Sequence, residues 1–156
     1  MTEQPQVSQH FDIQKIYLKD VSLETPNSPV IFTEQWQPQT EVRLDTGATP
    51  IAQDLFEVVL TVTITSKIGE RTAYLAEVQQ AGLFTLRGFE DGHMGHMLHA
   101  FCPNVLFPFA REELSSLISK GGFPGVLLNP INFDGLYMQR LQQQQAATAD
   151  GATAPH

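Results

Sequence analysis

The chain has 156 residues, the length of a single domain, and 17 acidic against 9 basic residues give it a formal net charge of −8. An acidic chain of this kind repels polyanions, so its composition argues against a nucleic-acid partner, whose phosphates bind to basic surfaces. One cysteine excludes a disulfide within the chain, and the longest apolar stretch, residues 55–64, is too short to insert into a membrane, so we expect a soluble, cytoplasmic protein.

The first half of the chain carries the signals of β-strands. Residues 1–10 are polar and predict a disordered tail, and alternating apolar residues begin at Phe11. Four strands are predicted, over residues 11–24, 40–45, 56–65 and 71–80. The first contains a change of parity that indicates either a bulge or burial on both faces, and the last two are expected to pair as a hairpin. The stretch TGATP at residues 46–50 predicts a loop.

The second half of the chain predicts two helices after a long crossing loop. The loop is expected over residues 87–102, which contain three glycines. The first helix, over 103–122, begins near a proline and ends at two glycines, and the second, over 132–145, has Asn132 as its N-cap. Residues 146–156 are poor in large apolar side chains and predict a second disordered tail.

This order of elements, strands first and helices afterwards, favours an α+β domain over residues 11–145. The sheet would be four-stranded and antiparallel, with two C-terminal helices packed on it. Two short helices can cover only part of such a sheet, and oligomerisation commonly buries what they leave exposed. We therefore expect the chain to assemble with copies of itself.

A row of potential zinc ligands stands in the predicted loop. His93, His96, His99 and Cys102 occur at every third position. Neither a helix nor a strand with this spacing points all four side chains at one ion, and structural zinc sites commonly close with a distant second pair of ligands. We therefore predict no metal site, and a metal-dependent enzyme built on these four residues is the alternative hypothesis. The role of the three histidines stays open.

The chain offers little for catalysis. It contains no nucleophile elbow, no zinc-protease motif and no phosphate-binding loop, so we predict no catalytic residue. Cys102 lies near His99 and could act as a nucleophile, but a single cysteine among apolar residues is more often buried and inert. Adjacent acidic pairs such as Glu112 and Glu113 do not face each other and predict solvated surface.

Large apolar side chains outside the strands suggest a surface that binds other chains. Trp36 stands in a polar, turn-like stretch beside a proline. A tryptophan there would either plug the local core or offer a rigid face to an unfolded or extended chain. Met94 and Met97 leave the same choice, because methionine adapts to many different partners.

Several stretches resemble the SecB family of bacterial export chaperones. The similarity covers residues 11–145 and is most specific in the combination of CPNVLFPFARE with PINFDGLYMQRLQQQ. The resemblance implies an α+β fold and a homotetramer built as a dimer of dimers. It also implies a chaperone without enzymatic activity, ATP use or cofactor. Such a chaperone keeps unfolded precursor proteins competent for export across the inner membrane and hands them to the SecA ATPase. A structural scaffold without clients is a third hypothesis.

The resemblance also implies two binding surfaces. The residues of the SecA surface are Asp20, Glu24, Leu75 and Glu77. Strand parity allows each pair to share a sheet face, and a plain solvated face is the alternative that parity leaves open. The residues of the groove for client chains are Trp36, Val42, Leu44, Phe84, Leu136 and Tyr137. Any of these six could instead belong to the core.

Overall fold

The computed structural model describes residues 8–152 and confirms the α+β architecture with an antiparallel sheet. The strands are β1 (His10–Glu24), β2 (Gln39–Ala52), β3 (Leu55–Ile68) and β4 (Arg71–Arg87). Their spatial order is β1–β4–β3–β2, so β1 and β2 form the two edges of the sheet. Residues 1–7 and 153–156, which belong to the predicted tails, lie outside the described range.

The strong alternation in β3 and β4 builds the centre of the sheet, as predicted. Alternate side chains of both strands are fully buried on one face. They are Val58, Leu60, Val62, Ile64, Tyr74, Ala76 and Val78. Gly69, at φ 62°, begins the two-residue turn that closes the hairpin at the pair Ile68–Arg71. The period-two pattern therefore fixes which face packs on the core.

β1 pairs with β4, and the parity change in its sequence corresponds to bulges. The register shifts between Ile13 and Lys15 and again between Leu18 and Asp20. A bulge inserts one residue into the strand, so the side chains that follow it change face relative to a simple alternation. As a result, Asp20 and Glu24 lie on the opposite sheet face from Leu18.

The predicted loop at residues 46–50 is wrong, because this stretch belongs to β2. The strand continues to Ala52 and pairs with β3 throughout, with Pro50 opposite Phe56. A proline is tolerated there because an edge strand leaves one side of its backbone without a partner strand. Asp54, at φ 58°, then turns the chain into β3.

The predicted crossing loop at residues 87–102 is also wrong over most of its length, because it is helical from residue 91. The helical segments are α1 (Asp91–His96), a π-helical turn (Met97–Phe101) and α2 (Cys102–Lys120). Pro103 explains the wider turn, since it has no N–H and its ring conflicts with the carbonyl four residues earlier. The Cys102 N–H instead donates to the Met97 carbonyl, five residues back. Glycines that suggested a loop therefore lie inside a helix.

α3 (Phe133–Ala152) is the second predicted helix, and it is capped by Asn132 as expected. The Asn132 side chain accepts a hydrogen bond from the Gly135 N–H at 3.0 Å, which satisfies one of the free amides of the first turn. The helix continues past the predicted end at residue 145, and its side chains over 146–149 are exposed. No helix within residues 8–152 is long and apolar enough to cross a membrane.

α2 packs on β3 and β4 and covers one face of the sheet, here called the helix face. Leu106, Leu114 and Ile118 of α2 are fully buried in one cluster with strand residues such as Leu86. Fully burying a side chain of this size stabilises the fold by about 1.5–3 kcal/mol. On the opposite face, here called the open face, most β3 and β4 side chains stay partly exposed. The helix face therefore holds the domain together, and the open face is available to partners.

Candidate functional site

Cross-strand register places three rows of side chains next to one another on the open face. One row contains Asp20, Gln79, Thr61 and Asp45, the next Ser22, Glu77, Thr63 and Arg43, and the third Glu24, Leu75, Thr65 and Glu41. Neighbouring strands lie about 4.8 Å apart, so each row crosses the four strands in about 15 Å. These three rows are called the acidic rows below.

The acidic rows bring together the four residues predicted for SecA. Asp20 and Glu24 are exposed, whereas Leu75 and Glu77 are half-buried. The Thr63 hydroxyl donates to a Glu77 carboxylate oxygen at 2.9 Å and so orients that carboxylate. Because the four residues share one end of one face, a single partner segment can contact them together. Their role in docking stays a prediction.

The acidic rows extend to the β2 edge, which strand parity alone did not suggest. Glu41 and Asp45 stand at the far ends of two rows, and both are exposed. Within these described rows, Arg43 is the one basic residue, and it pairs with Glu41 at 3.0 Å. A surface with this excess of negative charge attracts basic segments and speeds their association at low salt.

A side-chain network spans the middle of the open face. The Tyr17 hydroxyl and the Lys19 ammonium both donate to the Glu57 carboxylate, the ammonium at 2.7 Å. Burial raises the pKa of Tyr17 to about 12, and the hydrogen bond to Glu57 adds to that rise. The hydrogen bonds from Lys19 and Tyr17 in turn lower the pKa of Glu57. Lys19 is the sequence neighbour of Asp20, but its charge is paired with Glu57. It therefore offsets less of the negative charge of the acidic rows than an unpaired lysine would.

A cleft lies at the other side of the β2 edge, between β2 and α3. It is lined by Leu44, Asp45, Thr46, His99, Phe133, Leu136, Tyr137, Arg140 and Gln143. Apolar side chains allow such a cleft to accept many ligands, and its polar groups orient them. Within residues 8–152 the outer edge of β2 has no strand partner. An extended chain in the cleft could therefore also pair with the β2 backbone.

Three of the six residues predicted for the client groove line this cleft, namely Leu44, Leu136 and Tyr137. Val42 lies two residues before Leu44, on the same strand face, and is 39% exposed. Leu136 is 45% exposed, so a large part of its apolar surface is available to a ligand. The cleft therefore has one wall on β2 and the other on α3, and the role of these residues in client binding stays a prediction.

The other two predicted groove residues lie elsewhere. Phe84 is fully buried and stacks on Phe11, with ring centroids 5.8 Å apart, so it belongs to the core of the single chain. Trp36 packs on Phe123 with centroids 5.6 Å apart, and Phe123 in turn packs on Tyr74. The tryptophan therefore plugs the local core, outside the cleft, and keeps 36% of its surface exposed.

The three histidines do not converge on one point. His96 bonds to Asp134 at 2.5 Å, and His99 stacks on Tyr137 with ring centroids 6.1 Å apart. His93 packs edge-on against a phenylalanine. Among the described residues, no group of three or more His, Cys, Asp or Glu side chains lies close enough to hold a metal ion. Instead, His96 and His99 contact α3, whereas His93 packs on Phe89.

Cys102, the fourth member of the row, is fully buried. This burial raises the pKa of its thiol to about 12. A thiol with such a pKa stays protonated at neutral pH, and the protonated form is a poor nucleophile and a poor metal ligand. The geometry therefore gives no support to a cysteine nucleophile or to a metal-dependent enzyme at this row.

Sequence reasoning missed the polar residues of the cleft other than Tyr137, among them Arg140 and His99. Helical spacing could have found Arg140, because it lies four residues after Leu136 and so shares its helix face. His99 gave no such signal, because its stretch predicts a loop. Burial lowers the pKa of His99, and the charge of Arg140 lowers it further, so the surroundings favour the neutral imidazole. Its Nδ1 has no hydrogen-bond partner among the described residues.

Known proteins match the chain over nearly its whole length. The family model described as preprotein translocase subunit SecB matches residues 3–144. The protein-export protein SecB of Methylococcus capsulatus is 55% identical over 149 residues, which cover 94% of this chain and 96% of that protein. The protein of the same name from Thioalkalivibrio sulfidiphilus is 55% identical over 155 residues, which cover 99% of this chain and 91% of that protein.

Solved structures include a protein with the same fold. It is the Mycobacterium tuberculosis SecB-like chaperone Rv1957 in complex with a ChAD peptide from the Rv1956 HigA1 antitoxin, and it matches with a TM-score of 0.63. The sequence identity is 14%, and the match covers 78% of this chain and 90% of that chain. At this identity the likeness shows the fold alone.

Proposed function

The chain belongs to the SecB family of protein-export chaperones, and from this premise we propose that it holds unfolded precursor proteins and delivers them to the SecA translocation ATPase. Holding requires neither ATP nor a catalytic residue, because binding alone keeps a precursor unfolded. The protein would act in the cytoplasm, before the precursor is exported across the inner membrane. The cleft between β2 and α3 is the observation that supports the proposal best.

Two features of the cleft suit an unfolded chain. Leu44 and the exposed part of Leu136 offer apolar surface, on which any client segment with large apolar side chains can be buried. The free edge of β2 offers backbone groups to a client in extended conformation. A folded client offers the cleft much less, since most of its backbone groups are already paired and its large apolar side chains are mostly buried. The cleft would therefore select clients by folding state.

The acidic rows would serve the transfer to SecA. Asp20, Glu24 and Glu77 supply charge for a basic segment of SecA, and Leu75 supplies an apolar contact beside them. Attraction between exposed charges is screened by salt, with a Debye length of about 8 Å at physiological ionic strength. A complex formed on this face should therefore weaken as salt is added.

Assembly into a tetramer, as a dimer of dimers, would cover apolar surface on β1, the π-helical turn and α2. The side chains concerned are Ile13, Leu18, Phe101 and Phe109, which are 40%, 45%, 40% and 48% exposed. Apolar residues left exposed together commonly mark interfaces between copies of a chain. Native mass spectrometry tests this part of the proposal, because four chains of 17.3 kDa weigh 4 × 17.3 = 69.2 kDa. A species of a single chain under native conditions would contradict it.

The experiment that tests the holding function is a refolding assay. A slow-folding precursor is diluted from denaturant into an excess of the protein, without nucleotide. We expect the precursor to refold more slowly, because a ligand present at about 100 times its Kd stabilises the state it binds by about 2.7 kcal/mol. A fast-folding mature protein serves as the control and should refold at its usual rate, since it spends little time in the state that the cleft accepts.

A further inference from the structure

We propose that Gly95 is a positioning residue for client binding, because the space it leaves open seats Tyr137 and so fixes α3 along the cleft. This inference rests on the proposed holding function. Neither the family match nor the lining residues explain what sets the distance between α3 and β2 across the cleft.

Tyr137 is the side chain through which α3 packs on the α1 segment. Its ring lies 6.1 Å from the His99 ring at an angle of 14°, and 6.0 Å from the His96 ring at an angle of 66°. One turn before Tyr137 on α3, the Asp134 carboxylate forms a hydrogen bond with His96, with Oδ1 and Nε2 2.5 Å apart. The ring of Tyr137 is thus held between two imidazoles, and the start of α3 is tied to the same helical segment.

Gly95 lies directly under the Tyr137 hydroxyl. A Cβ added at residue 95 would stand 2.5 Å from the Tyr137 hydroxyl oxygen and 3.6 Å from the ring carbon that carries it. The first distance is shorter than any ordinary contact to a Cβ, whereas the second is a normal van der Waals contact. The conflict is therefore with the hydroxyl oxygen alone.

The conflict cannot be relieved by Tyr137 alone, because two imidazole rings pack on it. The start of α3 must shift instead, and with it the side chains that face β2. Leu136 and Arg140 line the cleft on the same helix as Tyr137, opposite Leu44. A shift of α3 therefore changes the width of the cleft in which the client binds.

Gly92 provides a matched control within the same helix. An added Cβ there meets nothing within 4 Å among the described residues. Alanine is a better helix former than glycine at both positions, so helix propensity would stabilise α1 in either variant. A loss of function confined to the residue 95 variant cannot then come from propensity.

The test compares Gly95→Ala, Gly92→Ala, Tyr137→Phe and the double variant Gly95→Ala/Tyr137→Phe in the full chain. Two readouts are measured. One is the Kd for a fluorescently labelled precursor kept unfolded, and the other is amide hydrogen exchange over residues 133–149. We expect Gly95→Ala to raise the Kd about fivefold or more and to speed exchange at the start of α3, with Gly92→Ala within about twofold of the original. Because Tyr137 itself lines the cleft, the double variant is compared with Tyr137→Phe, and we expect these two to agree within about twofold.

Rescue by Tyr137→Phe is the decisive result, because phenylalanine keeps the ring and removes the conflicting oxygen. The proposal is overturned if Gly95→Ala behaves like Gly92→Ala, or if the double variant stays as weak as Gly95→Ala. If no variant binds the precursor at all, the holding function itself has failed. In that case hydrogen exchange over residues 133–149 still tests whether Gly95 makes room for Tyr137. Faster exchange in Gly95→Ala alone supports this role, and unchanged exchange overturns it.

Discussion

Replacing Leu136 by aspartate should weaken binding of an unfolded precursor by about tenfold or more. Leu136 lines the cleft and is 45% exposed, so a client covers the apolar surface that remains. Losing that burial costs on the order of 1 kcal/mol, and a carboxylate that must lose water when the client binds adds a further cost. Each 1.4 kcal/mol corresponds to a factor of ten in Kd. Fluorescence anisotropy of a labelled precursor, kept unfolded, measures the change.

Met138→Asp is the matched control for this substitution. Met138 lies on the same helix, is 55% exposed and does not line the cleft within the described residues. Both substitutions add one negative charge near the start of α3, so their effects on the helix and on net charge are alike. We expect Met138→Asp to bind the precursor within about twofold of the original protein. Equal weakening by the two variants would place client binding outside the cleft.

Replacing Glu77 by lysine should weaken the complex with SecA more than any other single substitution on the open face. Glu77 stands in the middle acidic row, and Asp20 and Glu24 stand in the rows on either side of it. On β3 its neighbour is Thr63. The change reverses a charge that faces the partner and removes the acceptor for the Thr63 hydroxyl. Close charge pairs across an interface are worth about 1.5 kcal/mol or more, so we expect a loss of at least about tenfold at low salt.

Asp12→Lys gives the same change of net charge on the same face, at the opposite end of β1. Asp12 pairs with Thr85, eight residues along β4 from Glu77, which is about 27 Å. This separation exceeds the Debye length of about 8 Å at physiological salt, so the control should leave SecA affinity nearly unchanged. Titration by surface plasmon resonance at two salt concentrations separates the two variants. An unchanged affinity in Glu77→Lys would remove SecA docking from the acidic rows.

The sheet could be predicted from the sequence because period-two alternation has one physical cause. In β3 and β4, alternate residues face the core, and the pattern identifies both the strands and the buried face. The same parity placed Leu75 and Glu77 on the open face. It could not show that Glu41 and Asp45 of β2 continue that surface, because the order of strands in the sheet depends on contacts distant in sequence.

The helical stretch that begins at Asp91 could not be predicted, because tertiary packing there overrides the low helix propensity of glycine. Gly92 and Gly95 read as loop residues, yet both lie in α1, where Gly95 makes room for Tyr137. The burial of Phe84, which was predicted for the groove, could not be foreseen for a related reason. A large aromatic side chain on an alternating strand has the same pattern whether it lines a groove or fills the core, and only its neighbours decide.

The refolding half-time of a slow-folding precursor tests the central claim most directly. The precursor is diluted from denaturant into buffer that contains no nucleotide, with the protein absent, in excess, or replaced by the Leu136→Asp variant. We predict that excess protein lengthens the half-time about tenfold or more and that the variant loses most of this delay. An unchanged half-time at saturating protein concentration would contradict the holding function, whatever the behaviour of the SecA complex.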